Sequence, residues 1–205
     1  LHPTNASEAQ FATCNAGAIH TGRSRALETR MLVVLGGLPG TGKTTLGMAL
    51  AVRRSAAYVR VDEIEHALTH HAKHGPEIGA AGYVVAFAIA ASNLRLGSLV
   101  IADSVNPVPE SRKGWRDVAH REAARLLEIE VICSDGVEHR RRIEARTADI
   151  AGFELPSWSS VVERDYVPWI SPRLVVDTAL LTRDEAVAAI EAAIDGLSEG
   201  ASPTS

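Results

Sequence analysis

Residues Gly37-Leu38-Pro39-Gly40-Thr41-Gly42-Lys43-Thr44 satisfy the pattern G-x-x-x-x-G-K-[ST] without deviation. They follow an unbroken apolar run, Met31 to Leu35, and precede a segment with helical spacing, Thr44 to Arg54. An apolar strand, a glycine loop and a helix in that order leave few folds open. Glycines permit the positive φ values that turn successive backbone N–H groups around a phosphate. The helix that follows adds the partial positive charge of its N-terminus. Lys43 brings a point charge for β and γ oxygens, and Thr44 a hydroxyl for Mg²⁺. The loop from Gly37 through Thr45 is therefore the expected nucleotide-phosphate site.

The remaining chain keeps alternating strand and helix patterns. Strands are expected at Met31–Gly37, Ala56–Asp62, Gly97–Val105, Glu128–Ser134 and Arg173–Thr178. Helices are expected at Glu63–His74, Gly82–Leu96, Glu110–Leu127, Val137–Arg146 and Arg183–Leu197. Such alternation predicts an α/β fold with a parallel sheet and helices on both faces. With 205 residues and 46% hydrophobic composition, one domain can bury its own core. That domain is expected over 31–197, with 1–30 a flexible N-terminal extension and 198–205 a flexible tail. The stretch Ala80–Ser92 is too short to span a bilayer. Cys14 and Cys133 form no disulfide framework or metal spacing, so a cytoplasmic location is expected. The net charge of −4 argues against broad nucleic-acid binding.

In open parallel sheets, ligands lie beyond the carboxyl ends of the strands. Asp62 is expected to close the second strand and Asp103 the third. Asp103 suits a Mg²⁺ ligand near the loop, and Asp62 a base for an acceptor hydroxyl, with Glu63 and Glu65 as adjacent alternatives. On the basic helix, Arg142 and Arg146 share a face and can clamp a moving phosphoryl group. Arg112, with Lys113 and Arg116, follows the third strand and could meet an anionic acceptor. Trp158, Tyr166 and Trp169 either stack on a substrate or pack the segment that carries them. His66, His70 and His74 have a spacing open to a transition metal, but also to a simple surface helix.

On VVLGGLPGTGKTT, VD at Asp62, ADSVNPVPESRKGW and CSDGVEHRRRIEAR, the chain from about Met31 to Leu197 resembles the P-loop small-molecule kinases. The branch it is similar to contains chloramphenicol phosphotransferase, zeta-type toxins and polynucleotide-kinase-like domains, often grouped with AAA-family ATPase-like proteins. The resemblance implies a P-loop NTPase fold: a five-stranded parallel sheet in the order 2-3-1-4-5, with a helical lid after strand four. It implies Asp62 as catalytic base, Lys43, Thr44 and Asp103 on phosphate and metal, and Arg142 with Arg146 as lid arginines. It also implies Asn106 and Arg112 at the substrate, and Asp177 and Thr178 near the adenine. The chain has no long insertion for a polynucleotide groove and no room for the extra helical domain of an AAA+ motor. The expected protein is an ATP- and Mg²⁺-dependent kinase acting on a small-molecule hydroxyl. The alternatives are a nucleotide-dependent switch without a small acceptor, and a zeta-toxin or polynucleotide-type kinase. The sequence does not reveal an oligomeric state.

Overall fold

The computed structural model describes residues 30–71, 80–152 and 154–199. The chain runs β1 (Met31–Gly36), α1 (Lys43–Arg54), β2 (Ala57–Arg60), α2 (Val61–His71), α3 (Ala81–Arg95) and β3 (Leu99–Asp103). It continues α4 (Pro109–Arg121), β4 (Arg125–Ile132), α5 (Gly136–Ala145), α6 (Trp158–Val162), β5 (Leu174–Asp177) and α7 (Arg183–Glu199). All neighbouring strands pair in parallel, in the expected order β2-β3-β1-β4-β5. Of the two expected end segments, all but Arg30, Ser198 and Glu199 lie outside the described residues.

The apolar strand runs make sense once both faces of the sheet are covered. Period-two alternation turns Val33, Leu35, Ile101, Ile129, Val131 and Val176 toward α1 and α7, where Leu46, Leu50, Val187 and Ile190 meet them. Leu32, Val34, Val59, Val100 and Ala102 turn the other way, toward Ala86, Ala90 and Leu94 of α3 and Trp115 and Val118 of α4. Each fully buried Val or Leu contributes about 1.5–3 kcal/mol by leaving water. The central strands are thus fixed in register by two cores at once.

Helix boundaries show what local pattern could not decide. The fourth helix was expected to reach Leu127 but stops at Arg121. Ala123 takes a left-handed φ of 50°, and its neighbour Ala124 donates to Ala119 O. From Arg125 onward the backbone bonds to β1, pairing Leu126 with Leu32 and Leu127 with Val33. Those ladder bonds outweigh the helical preference of the Leu pair. At the opposite end of the chain, Thr182 and Glu185 form the reciprocal capping box that starts α7.

Asn106 and Arg112, expected at the substrate, are built into the core. Asn106 is fully buried at a φ of 51°. Its side chain donates to Leu35 O and accepts from Trp115 Nε1. Arg112 is 3% exposed and donates to four carbonyls, those of Asn106, Pro107, Val167 and Pro168. Its guanidinium also stacks on Trp169, 4.3 Å from the ring centroid. Arg112 thus ties the loop after β3 to the segment that leads into β5. Arg112→Ala is expected to lower stability by about 3 kcal/mol, since four carbonyls, that of Asn106 buried and the others partly so, lose a donor together. Arg112→Lys should recover only part, because an ammonium cannot span two loops. Denaturant unfolding checks both, and an unchanged midpoint for Arg112→Ala would refute this role.

Candidate active site

The phosphate loop joins β1 to α1 with Gly42 as N-cap at a φ of 97°. Gly40, at a φ of 81°, answers a second demand. A Cβ there would lie 2.5 Å from Ile143 Cδ1 of α5. The basic helix, which occupies the expected lid position, therefore packs directly on the loop. His139 of α5 completes that contact with Nε2 2.7 Å from Pro39 O, a pairing that requires the ring proton on Nε2. Within the loop, Thr41 Oγ1 and Lys43 Nζ both donate to Leu38 O, each at 2.9 Å. Lys43 is 7% exposed. Burial pulls its ammonium below the usual lysine range, while Asp103 and Asp62 oppose that shift.

Asp103 stands at the end of β3, as expected, and shares a sheet face with Ile101, which packs toward α1. Its Oδ2 accepts from Thr44 Oγ1 at 2.7 Å and from Tyr58 OH at 2.7 Å. A hydroxyl and a carboxylate in contact at the start of α1 are hard oxygen donors, and this donor set fits Mg²⁺. The geometry of the glycine loop likewise fits a nucleotide phosphate.

Asp62 does not close a strand. β2 ends at Arg60 and the chain turns at once into α2, placing Asp62 in that helix's first turn. An acid there is favoured by the helix dipole. The turn also brings its carboxylate to the cavity wall. Burial pushes the Asp62 carboxyl up, against the pull of Lys43.

A cavity of about 600 Å³ collects the candidate groups: Gly40, Lys43, Thr44, Asp62, Arg142, Arg146 and Thr178 are all in its wall. Pro39, Gly42 and Thr45 line it too, whereas Gly37, Leu38, Thr41, Asp103, Asn106, Arg112 and Asp177 are not part of that wall. Lys43, Arg141, Arg142, Arg146 and Arg183 outnumber Asp62 and Asp149 in the lining, a balance suited to a polyanion. Arg142 is held by Glu138 at 2.8 Å and donates to Thr178 Oγ1 at 2.7 Å and Thr178 O at 3.0 Å. Arg146 reaches Asp149 at 3.7 Å. Asp177 instead accepts from the Ser134 and Ala179 backbone N–H groups.

Other candidates are used elsewhere. Lys113 pairs with Asp117 and Arg116 with Glu128. Trp169 donates to Tyr166 OH at 2.7 Å and Trp158 meets His139 edge-on, so these aromatics pack their own segment. His66 Nε2 lies 2.9 Å from Ala151 O and His70 Nδ1 lies 3.1 Å from His66 O. His74 lies outside the described residues. No group of three or more metal-ligating side chains occurs among the described residues.

The sequence reading missed the ion pair of Arg60 with Asp149, at 2.5 Å, which pins the segment after α5 to the end of β2. Arg60 holds the Asp149 carboxyl below the usual carboxylate range. No short-range pattern marks it, since the partners are 89 positions apart. Tyr58, Leu181, Thr182 and Arg183 were missed for the same reason.

A family model described as an AAA domain matches residues 32–157. The chain belongs to the AAA domain family. This AAA domain protein also shares its fold with solved structures. The protein APE1195 is 26% identical with a TM-score of 0.66, over 84% of this chain and 98% of that one. A gluconokinase from Sinorhizobium meliloti is 18% identical at a TM-score of 0.59, over 85% and 99%. The APS kinase CysC of Mycobacterium tuberculosis, in complex with AMPPNP and APS, is 20% identical at 0.57, over 78% and 95%. The latter two show a common fold with kinases. No curated protein matches this sequence significantly. Among the described residues, no helix of the AAA domain protein is long and apolar enough to cross a membrane.

Proposed function

We propose that this protein transfers the γ-phosphoryl group of ATP to a hydroxyl of a small molecule in the cytoplasm. The observation that carries the reading is the meeting of Lys43, Thr44, Asp62, Arg142 and Arg146 in the wall of one cavity. Kinases of gluconate type and of APS, the second with AMPPNP and APS bound, share the fold. That likeness supports a small acceptor over a polynucleotide.

In this reading the loop amides and Lys43 hold the β and γ phosphates. Thr44 and Asp103 hold Mg²⁺, which when bound neutralises charge on the phosphate oxygens. Asp62 accepts the acceptor's proton as the new oxygen–phosphorus bond forms and the β–γ bridge breaks, releasing ADP. Arg142 or Arg146 neutralises the moving phosphoryl group, and Thr178, which accepts from Arg142, stands toward the adenine. Positioning and fixed charge supply most of the rate, as phosphoryl transfer requires.

The fate of the γ-phosphate tests this directly. Labelled ATP with Mg²⁺ and a pooled panel of hydroxylated metabolites, sugars and antibiotics should yield label in an organic product. Subdividing the pool then identifies the acceptor. Label released only as free phosphate across the whole panel would favour a nucleotide-driven switch. Transfer confined to nucleic-acid ends, with steep salt dependence, would favour a polynucleotide-type kinase.

A further inference from the structure

We propose that Tyr58 is a positioning residue for the metal-binding pair: its hydroxyl, donating to Asp103 Oδ2, orients the carboxylate that accepts the Thr44 hydrogen bond and so turns the Thr44 lone pairs toward the cavity. This rests on the reading of Thr44 and Asp103 as the Mg²⁺ ligands.

Three observations carry it. First, the sheet dictates the meeting. Tyr58 pairs in register with Ile101, and Arg60 with Asp103, so period-two alternation puts all four side chains on the face that bears α1. Second, the contact is specific. The hydrogen bonds that Asp103 receives from side chains, from Thr44 and Tyr58, both end on Oδ2 at 2.7 Å, and Asp103 is 3% exposed. Charge-assisted O–H···O⁻ bonds of this length are among the stronger ones available to a side chain. A hydroxyl has one proton, so once Thr44 commits it to Asp103, only lone pairs remain for a cation. Third, α1 makes space for the ring. Gly47 sits in the middle of that helix, where glycine costs about 1 kcal/mol relative to alanine. A Cβ at Gly47 would lie 3.0 Å from Tyr58 Cε2 and 3.0 Å from Leu35 Cδ1. The helix gives up propensity at the position where the tyrosine approaches.

A tyrosine that only fills the core would lose little with its hydroxyl. A positioning tyrosine loses metal affinity, and outer partners of metal ligands are commonly worth 10–100-fold. The test measures affinity for a non-hydrolysable ATP analogue by calorimetry, in EDTA and across a series of Mg²⁺ concentrations. In Tyr58→Phe the EDTA affinity should stay within about twofold of the parent. The Mg²⁺ concentration that gives half of the metal-dependent gain should rise about tenfold. Asp103→Asn should raise it at least as far, and the double variant no further. Gly47→Ala, which presses on the ring but keeps its hydroxyl, should shift the midpoint in the same direction. Thermal melting confirms that each variant folds.

An unchanged Mg²⁺ midpoint in Tyr58→Phe, alongside a raised one in Asp103→Asn, overturns the inference alone. Equal loss of affinity with and without metal in Tyr58→Phe also overturns it, because that is the signature of a structural role. No shift in Asp103→Asn, with nucleotide still bound, removes Asp103 from the metal site and the inference falls with it.

Discussion

Lys43→Met is expected to slow phosphoryl transfer by at least about 10³-fold, the lower end of what a single charge on the transferring group supplies. The reason lies in how the ammonium is held. Lys43 is nearly sealed from water, and its Nζ is pinned 2.9 Å from Leu38 O inside the loop. Burial lowers its pKa against the opposition of Asp103 and Asp62, so the fold bears a cost for keeping this group charged. That cost is present below the lowered value and is relieved as pH rises through it toward that of an ordinary lysine. A charge fixed in place before the reaction needs no reorganisation when the phosphate charge shifts, which makes it effective in the transition state. Methionine keeps the stem and removes the charge. The variant should therefore fold with a thermal midpoint at or above the parent's while single-turnover transfer collapses. Near-normal transfer by Lys43→Met would remove the loop from the reaction.

The sequence exposed those parts of this arrangement that are local. The phosphate loop is contiguous and each of its residue types answers one demand of phosphate binding, so its position and its strand–loop–helix setting could be read directly. Strand order came through resemblance, and the buried strands announced themselves because both faces of the sheet are covered. What stayed hidden depends on partners distant in sequence. Arg112 had the spacing of an anion ligand, but four carbonyls and the Trp169 ring claim it. Asp62 was expected to end a strand, because VRVD continues the apolar alternation. The sheet stops pairing at Arg60, opposite Asp103, and the helix begins there instead. Tyr58 and Asp149 carried no motif at all. Their roles arise where parallel strands and the segment after α5 converge, which only the folded chain shows.

Asp62→Asn should separate transfer from binding. The substitution keeps shape and removes the proton acceptor, so transfer to the organic acceptor should fall by about 10²–10⁴-fold. Affinity for ATP should stay close to the parent's, since Lys43, Thr44 and the loop amides are intact. The pH dependence gives an independent signature. Burial raises the Asp62 pKa, so the acid limb of kcat in the parent should lie above the usual carboxylate range. In Asp62→Asn that limb should vanish from the residual rate. Stability should move the opposite way from activity. A carboxyl whose folded pKa is raised favours the protonated form in the native state, so stability falls as pH rises from the ordinary carboxylate value through the raised one. Above the ordinary carboxylate value the group is therefore a net cost, and asparagine removes it. The thermal midpoint of Asp62→Asn at pH 7 should thus equal or exceed the parent's, with the difference disappearing in acid. A variant that kept transfer, or that lost it together with ATP affinity and stability, would show that Asp62 supports the fold and not the reaction. A variant that is stable, binds ATP and does not transfer would fix the acceptor hydroxyl beside the first turn of α2.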